Sequence, residues 1–137
     1  MHETIIRVRW GELDPYHHVN HAAYLSYLEH ARIAALESIG WGMSEITATG
    51  HQVVVARIEV GFRRPASGGD ELVVQTSIEE LRGASSTWRQ RIVRGDDTIL
   101  DARVTAACTT LQGRPSRTPA PFQRALEHLL AAQRPAP

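Results

Sequence analysis

A chain of 137 residues with 15 basic and 15 acidic side chains carries no formal net charge, which excludes the basic excess expected of a nucleic-acid or membrane-surface protein. A single cysteine, Cys108, excludes an internal disulfide framework and fits a reducing, cytoplasmic setting. The opening MHETIIRVRW has no apolar signal-peptide core, no run approaches the ~20 apolar residues of a membrane span, and the length fits one domain over 1–137.

Thr4 to Arg9 is predicted as a short strand with Ile6 and Val8 on one face. Trp10 to Val19 is a loop, marked by Gly11, Pro15 and a polar cluster. From His21 the period becomes helical. Tyr24, Leu28, Ala31 and Ala35 form an apolar stripe widened by Leu25, Leu36 and Ile39, with Asn20 as N-cap and Gly40 as the stop. Met43 to Thr49 reads as neither helix nor strand. Strand patterns then follow: Ala56 to Phe62, Leu72 to Ile78, Ser85 to Arg94, and a long strand through Thr110 after the Gly95-Asp96-Asp97 turn. The tail over 115–137 holds prolines and an amphipathic stretch from Phe122 to about Leu130, read as a last short helix. One helix beside a run of antiparallel strands is α+β, with the sheet expected to curl around the helix.

Chemistry concentrates in Trp10 to Tyr24, WGELDPYHHVNHAAY. A metal site would need ligands that converge. His17 and His18 are adjacent in a loop, and the helical His-Glu-x-x-His motif is absent, so no metal is expected. A nucleophilic triad lacks its Gly-x-Ser-x-Gly elbow, and Cys108 sits mid-strand as a small buried hydrophobe. A plain helix start accounts for Asn20. It leaves Asp14 unexplained, because that residue lies six positions before the cap and is instead suited to an Asx turn with Pro15. The fourth reading sets a carboxylate opposite the bare N–H groups of the helix start, around His21 to Ala23. Those amides would polarise an acyl carbonyl and hold its oxyanion, while Asp14 attacks the carbonyl or draws a proton from water. The residues alone leave the capping and the chemical readings both open.

Trp10-Gly11-Glu12-Leu13-Asp14-Pro15, Val19 and the helix through Tyr24 closely resemble the N-terminal signature of hot-dog-fold acyl-CoA thioesterases. The closest likeness is to the 4-hydroxybenzoyl-CoA thioesterase family, including its Tol-Pal-associated branch. The resemblance extends to Val60-Gly-Phe-Arg-Arg-Pro-Ala66, to Gly69-Asp70 and to Glu80-Leu-Arg-Gly-Ala-Ser85. It implies a hot-dog fold, an antiparallel sheet wrapped around one long central helix, and hydrolysis of an acyl thioester. By position, Asp14 matches the catalytic aspartate and the His21 N–H the donor to the thioester carbonyl. His21 itself matches a histidine of some members, and Tyr24 a tyrosine near the helix start. His18-Val19-Asn20 resembles the corresponding stretch of plant-type acyl-carrier-protein thioesterases, which brings His18 and Asn20 in as helpers and leaves open CoA or carrier protein. Tyr16 and His17 replace the small residues of some relatives.

The resemblance further implies a homodimer or homotetramer with CoA phosphates near Arg63, Arg64 and Arg82, and no cofactor beyond the CoA of the substrate. Glu29 and Glu37, the helical glutamates that other hot-dog enzymes would use, fall at polar positions of the stripe. An enoyl-CoA hydratase on the same fold would carry Asp-x-Asn-Pro-x-His, which Asp14-Pro-Tyr-His17 does not match. A non-catalytic acyl-CoA-binding protein would have no need of Asp14 facing a helix start.

Overall fold

The computed structural model describes residues 1–133; the end of the expected tail, 134–137, lies outside them. Five strands, β1 (His2–Arg7), β2 (His51–Phe62), β3 (Glu71–Leu81), β4 (Ser85–Arg94) and β5 (Asp97–Thr110), form one antiparallel sheet in the order β1-β3-β4-β5-β2. Helix α1 (His21–Glu37) lies against its inner face, touching β1 and β3 directly. Helix α2 (Met43–Ala48) leads into β2, and α3 (Ala120–Gln133) packs against β3. This is the hot-dog arrangement of a sheet around a central helix.

Alternation decides the two central strands. Leu72, Val74, Thr76 and Ile78 of β3, and Ser86, Trp88, Gln90 and Ile92 of β4, are buried, while their neighbours face outward. The outward residues carry a ladder of ion pairs, including Arg103–Glu79 at 2.9 Å and Arg63–Asp101 at 2.8 Å. Exposed as they are, such pairs contribute little to stability. The inner face makes two apolar clusters. One gathers Leu28, Leu72, Ile92 and Leu100 beneath the first half of α1; the other gathers Trp88, Val104 and Phe122 toward α3.

Several sequence expectations shift. Strand β1 spans His2–Arg7 rather than Thr4 to Arg9, which leaves Val8 just beyond it. Met43–Ala48 is a helical turn and a half, too short for a periodic signal, with Ile46 as its one buried side chain. Strand β2 begins at His51 rather than Ala56, because Val53-Val54-Val55 lies on a sheet edge where both faces are partly open and alternation is lost. A register shift between Val55 and Arg57 then displaces Ala56. On α1, Leu25 is 39% exposed and Tyr27 is buried, so the stripe rotates toward Tyr27. Leu28, fully buried where α1 crosses the sheet, anchors the first cluster. Leu28→Ala should lower the unfolding free energy by about 2–5 kcal/mol, measured as a denaturant midpoint shift at constant m-value.

Candidate active site

The loop before α1 doubles back on itself. Trp10–Glu12 forms one 3-10 turn, whose Glu12 carboxylate accepts the Arg9 N–H at 2.9 Å and the Tyr27 hydroxyl at 2.7 Å. The Asn20 N–H donates to the Glu12 carbonyl at 2.8 Å, and Leu13 bridges Val19. Inside that closure the Asp14 N–H donates to the His18 carbonyl at 2.7 Å. Asp14 Oδ1 accepts the N–H groups of Tyr16 (2.8 Å) and His18 (3.2 Å), the Asx turn its sequence neighbours suggest. The turn carries His17 into the left-handed region, at φ 63°. Asp14 Oδ2 has no hydrogen-bond partner among the described residues.

Asn20 caps α1: its Oδ1 accepts the Ala22 N–H at 2.8 Å, and its carbonyl accepts the Ala23 N–H at 2.9 Å. The His21 N–H, first of the helix, has no partner among the described residues. A cap thus satisfies the second and third amides and leaves the first available at the positive end of the helix.

The opposite wall comes from the end of β2. Asp14, His18, His21 and Tyr24 share one open cleft of about 310 Å³ with Phe62, Arg63, Arg64 and Pro65. Tyr24 is buried and its hydroxyl accepts the Ala66 N–H at 3.0 Å, while its ring packs on Phe62 at 5.8 Å. Burial pushes the Tyr24 hydroxyl pKa up, against the Ala66 bond that lowers it. Burial, then the Glu12 bond, likewise raises that of Tyr27. Both phenols therefore act as fixed hydrogen-bonding groups. Arg94 clamps the far side, donating to the Pro65 carbonyl (3.2 Å) and to Asp70 (2.8 Å). The Ser67 N–H, together with Arg94, holds the Asp70 carboxyl below the usual range despite its partial burial.

Among the expected site residues, Asp14, His18, His21 and Tyr24 are brought together, Arg63 and Arg64 stand at the rim, and Asn20 joins through the cap. Arg63 is paired to Asp101, and Arg64 lies 3.8 Å from Asp97. Arg82 is elsewhere. It follows β3, whose 11 residues run away from the cleft for ~35 Å; it pairs with Glu80 and lines a separate groove with Arg117. Glu29 and Glu37 are exposed. No group of three or more His, Cys, Asp or Glu side chains among the described residues is placed to hold a metal. Sequence reasoning missed Glu12, Tyr27 and Phe62 as site residues: the Glu12–Tyr27 and Tyr24–Phe62 contacts are made across the fold, and Arg9, whose guanidinium only donates, cannot complete a capping box with Glu12.

A sheet wrapped around one central helix, with a cleft lined by Asp14 and His21 at the helix start, fits the class of hot-dog thioester hydrolases. The chain belongs to the Thioesterase-like superfamily, which it matches over residues 8–131. The long-chain acyl-CoA thioesterase FadM of Escherichia coli (strain K12) is 36% identical over 115 residues, 80% of this chain and 84% of FadM. The chloroplastic acyl-acyl carrier protein thioesterase ATL3 of Arabidopsis thaliana is 30% identical over 131 residues, 94% of this chain and 69% of ATL3. The crystal structure of a hypothetical protein, TT1821, from Thermus thermophilus matches with a TM-score of 0.89 at 31% identity, covering 93% of this chain and 98% of that one.

The Asp70 clamp carries a pH signature. A carboxyl whose folded pKa is depressed contributes stability above its unfolded pKa and loses it as pH falls through the folded value. The Tm penalty of Asp70→Asn should therefore be largest near pH 6 and shrink as the pH is taken below about 4, read by thermal melts across the series.

Proposed function

We propose that this thioester hydrolase cleaves acyl-CoA to the free acid and CoA, with Asp14 supplying the carboxylate chemistry and the His21 N–H holding the carbonyl oxygen. The observation that carries this reading is the pairing of two unmet groups in one cleft: Asp14 Oδ2 and the His21 N–H. An acyl carbonyl oxygen at the His21 N–H is polarised by the helix start, and its negative charge grows as the carbonyl carbon becomes tetrahedral. Water adds to that carbon as its proton passes to Asp14; the C–S bond then breaks and the thiolate takes up a proton. If Asp14 instead attacks directly, the thiolate leaves a mixed anhydride that water opens. A single turnover in ¹⁸O-water reveals the second route when water opens the anhydride at the Asp14 carbonyl: the label then enters Asp14 and the released acid is unlabelled, whereas the first route puts the label in the acid.

The helpers act through the backbone in this scheme. His18 orients Asp14 by exchanging hydrogen bonds with it through its own N–H and carbonyl, and Asn20 fixes the first turn that presents the His21 amide. Tyr24 shapes the acyl side of the cleft, while Arg63 and Arg64 at the rim meet the phosphates of CoA. The likeness to FadM favours CoA as carrier, and a homo-oligomer is part of the same reading. No cofactor enters the scheme.

Thiol release from a panel of acyl-CoAs, with the matching acyl-carrier-protein thioesters beside it, tests the proposal. Asp14→Asn should lower kcat by about 10²–10⁴ with KM little changed. His21→Ala, which keeps the backbone N–H, should change kcat far less. Equal kcat for wild type and Asp14→Asn would remove Asp14 from the chemistry.

A further inference from the structure

Asn20 takes both the Ala22 and the Ala23 N–H groups, so the start of α1 offers a developing oxyanion one amide, that of His21. Such an oxygen accepts more than one hydrogen, and preorganised donors aimed at it lower the barrier. Most other donors around the cleft are committed or loose. The His18 N–H is held by Asp14 Oδ1 and the Val19 N–H by the Ala66 carbonyl. Arg63 and Arg64 face the carboxylates of Asp101 and Asp97. The imidazoles of His18 and His21 belong to exposed residues.

Tyr24 differs from all of these. It is 4% exposed and still lines the cleft. Its hydroxyl oxygen accepts the Ala66 N–H at 3.0 Å, while its hydroxyl hydrogen has no acceptor among the described residues. The ring that carries it is fixed on two sides, edge-on to Tyr27 at 6.1 Å and tilted against Phe62 at 5.8 Å. Burial raises the pKa of the phenol, so its proton stays in place at neutral pH. The position also suits the task. Tyr24 follows His21 by three residues, which puts both on one face of α1, and a helical side chain leans back over the turn before it. The same Ala66 that holds the hydroxyl takes the N–H of Val19, two residues ahead of His21.

A buried hydroxyl with an unused hydrogen is costly until an acceptor meets it. We propose that the Tyr24 hydroxyl donates that hydrogen to the carbonyl oxygen of the substrate, as the second donor beside the His21 N–H. The proposal rests on the thioesterase reading of the cleft and adds a contact to the substrate rather than a proton transfer. The phenol keeps its hydrogen throughout, and Ala66 keeps the oxygen aimed.

Infrared spectroscopy of an unreactive acyl-CoA analogue, with a methylene in place of the thioester sulfur and ¹³C at the ketone carbon, tests this. Hydrogen bonds to the ketone oxygen lower its C=O stretching frequency. The band should move down on binding to wild type, and Tyr24→Phe should forfeit part of that shift. In the same variant kcat for thiol release should fall about 10²–10³-fold, with KM little changed. Tyr24→Phe also strips the Ala66 N–H of its acceptor, so Tyr24→3-fluorotyrosine is measured beside it. That variant keeps the Ala66 bond, donates more strongly and should bring the band below its wild-type position, which decides the matter even if Tyr24→Phe does not fold. A wild-type band in both variants, or a slow Tyr24→Phe whose band has not moved, would overturn the proposal and leave Tyr24 as packing alone. Failure of the thioesterase reading shows elsewhere: wild type then releases no thiol from any acyl-CoA, and the second donor falls with the first.

Discussion

One short hydrogen bond, from the Asn20 N–H to the Glu12 carbonyl at 2.8 Å, closes the loop on which the cleft depends. It returns the chain to its starting point just before α1 begins, and Asp14, inside the loop, lines one cleft with His21 at the helix start. Around it the structure adds ties of different kinds. Glu12 is latched to Tyr27 inside α1, Leu13 bridges Val19, and Val19 donates to the Ala66 carbonyl at 2.8 Å. The loop is thereby fixed to the central helix on one side and to the wall after β2 on the other.

That closure explains why one residue can both cap and expose. An N-cap side chain reaches the second or third amide of a helix, not the first. Asn20 follows this rule, satisfying Ala22 with its side chain and Ala23 with its carbonyl. The His21 N–H is left over by geometry, without any special device. Asp14 shows the same economy: its Oδ1 is spent on the turn, and its Oδ2 remains unpaired among the described residues. Structural bonds use one oxygen of the Asp14 carboxylate and the second and third amides of α1, and leave the other oxygen and the first amide without partners among the described residues.

The parts legible in the sequence were those specified by neighbours. The alternation in β3 and β4 follows from one buried face, and the limits Ser85 and Arg94 of β4 are as expected. Asn20 and the Asp-Pro turn are local signals and hold. The edge strand β2 was legible only in part, because Val53 to Val55 has no buried partner face to enforce a period. Tyr27 stands at helical spacing from Tyr24 and belongs to the buried stripe, whereas its bond to Glu12 spans 15 residues and the Ala66–Tyr24 bond 42, beyond what neighbours specify. Position along the chain and charge grouped Arg82 with Arg63 and Arg64, whereas the run of β3 carries Arg82 to the other end of the sheet.

In the proposed scheme the backbone of residue 21, not its imidazole, meets the developing oxyanion. Replacing the amide between Asn20 and His21 by an ester removes that N–H while keeping both side chains. The account predicts a loss in kcat of about 10²–10³, the cost of one oxyanion donor, with the fold intact by circular dichroism. An ester-linked protein that turns over acyl-CoA at the wild-type kcat would contradict it.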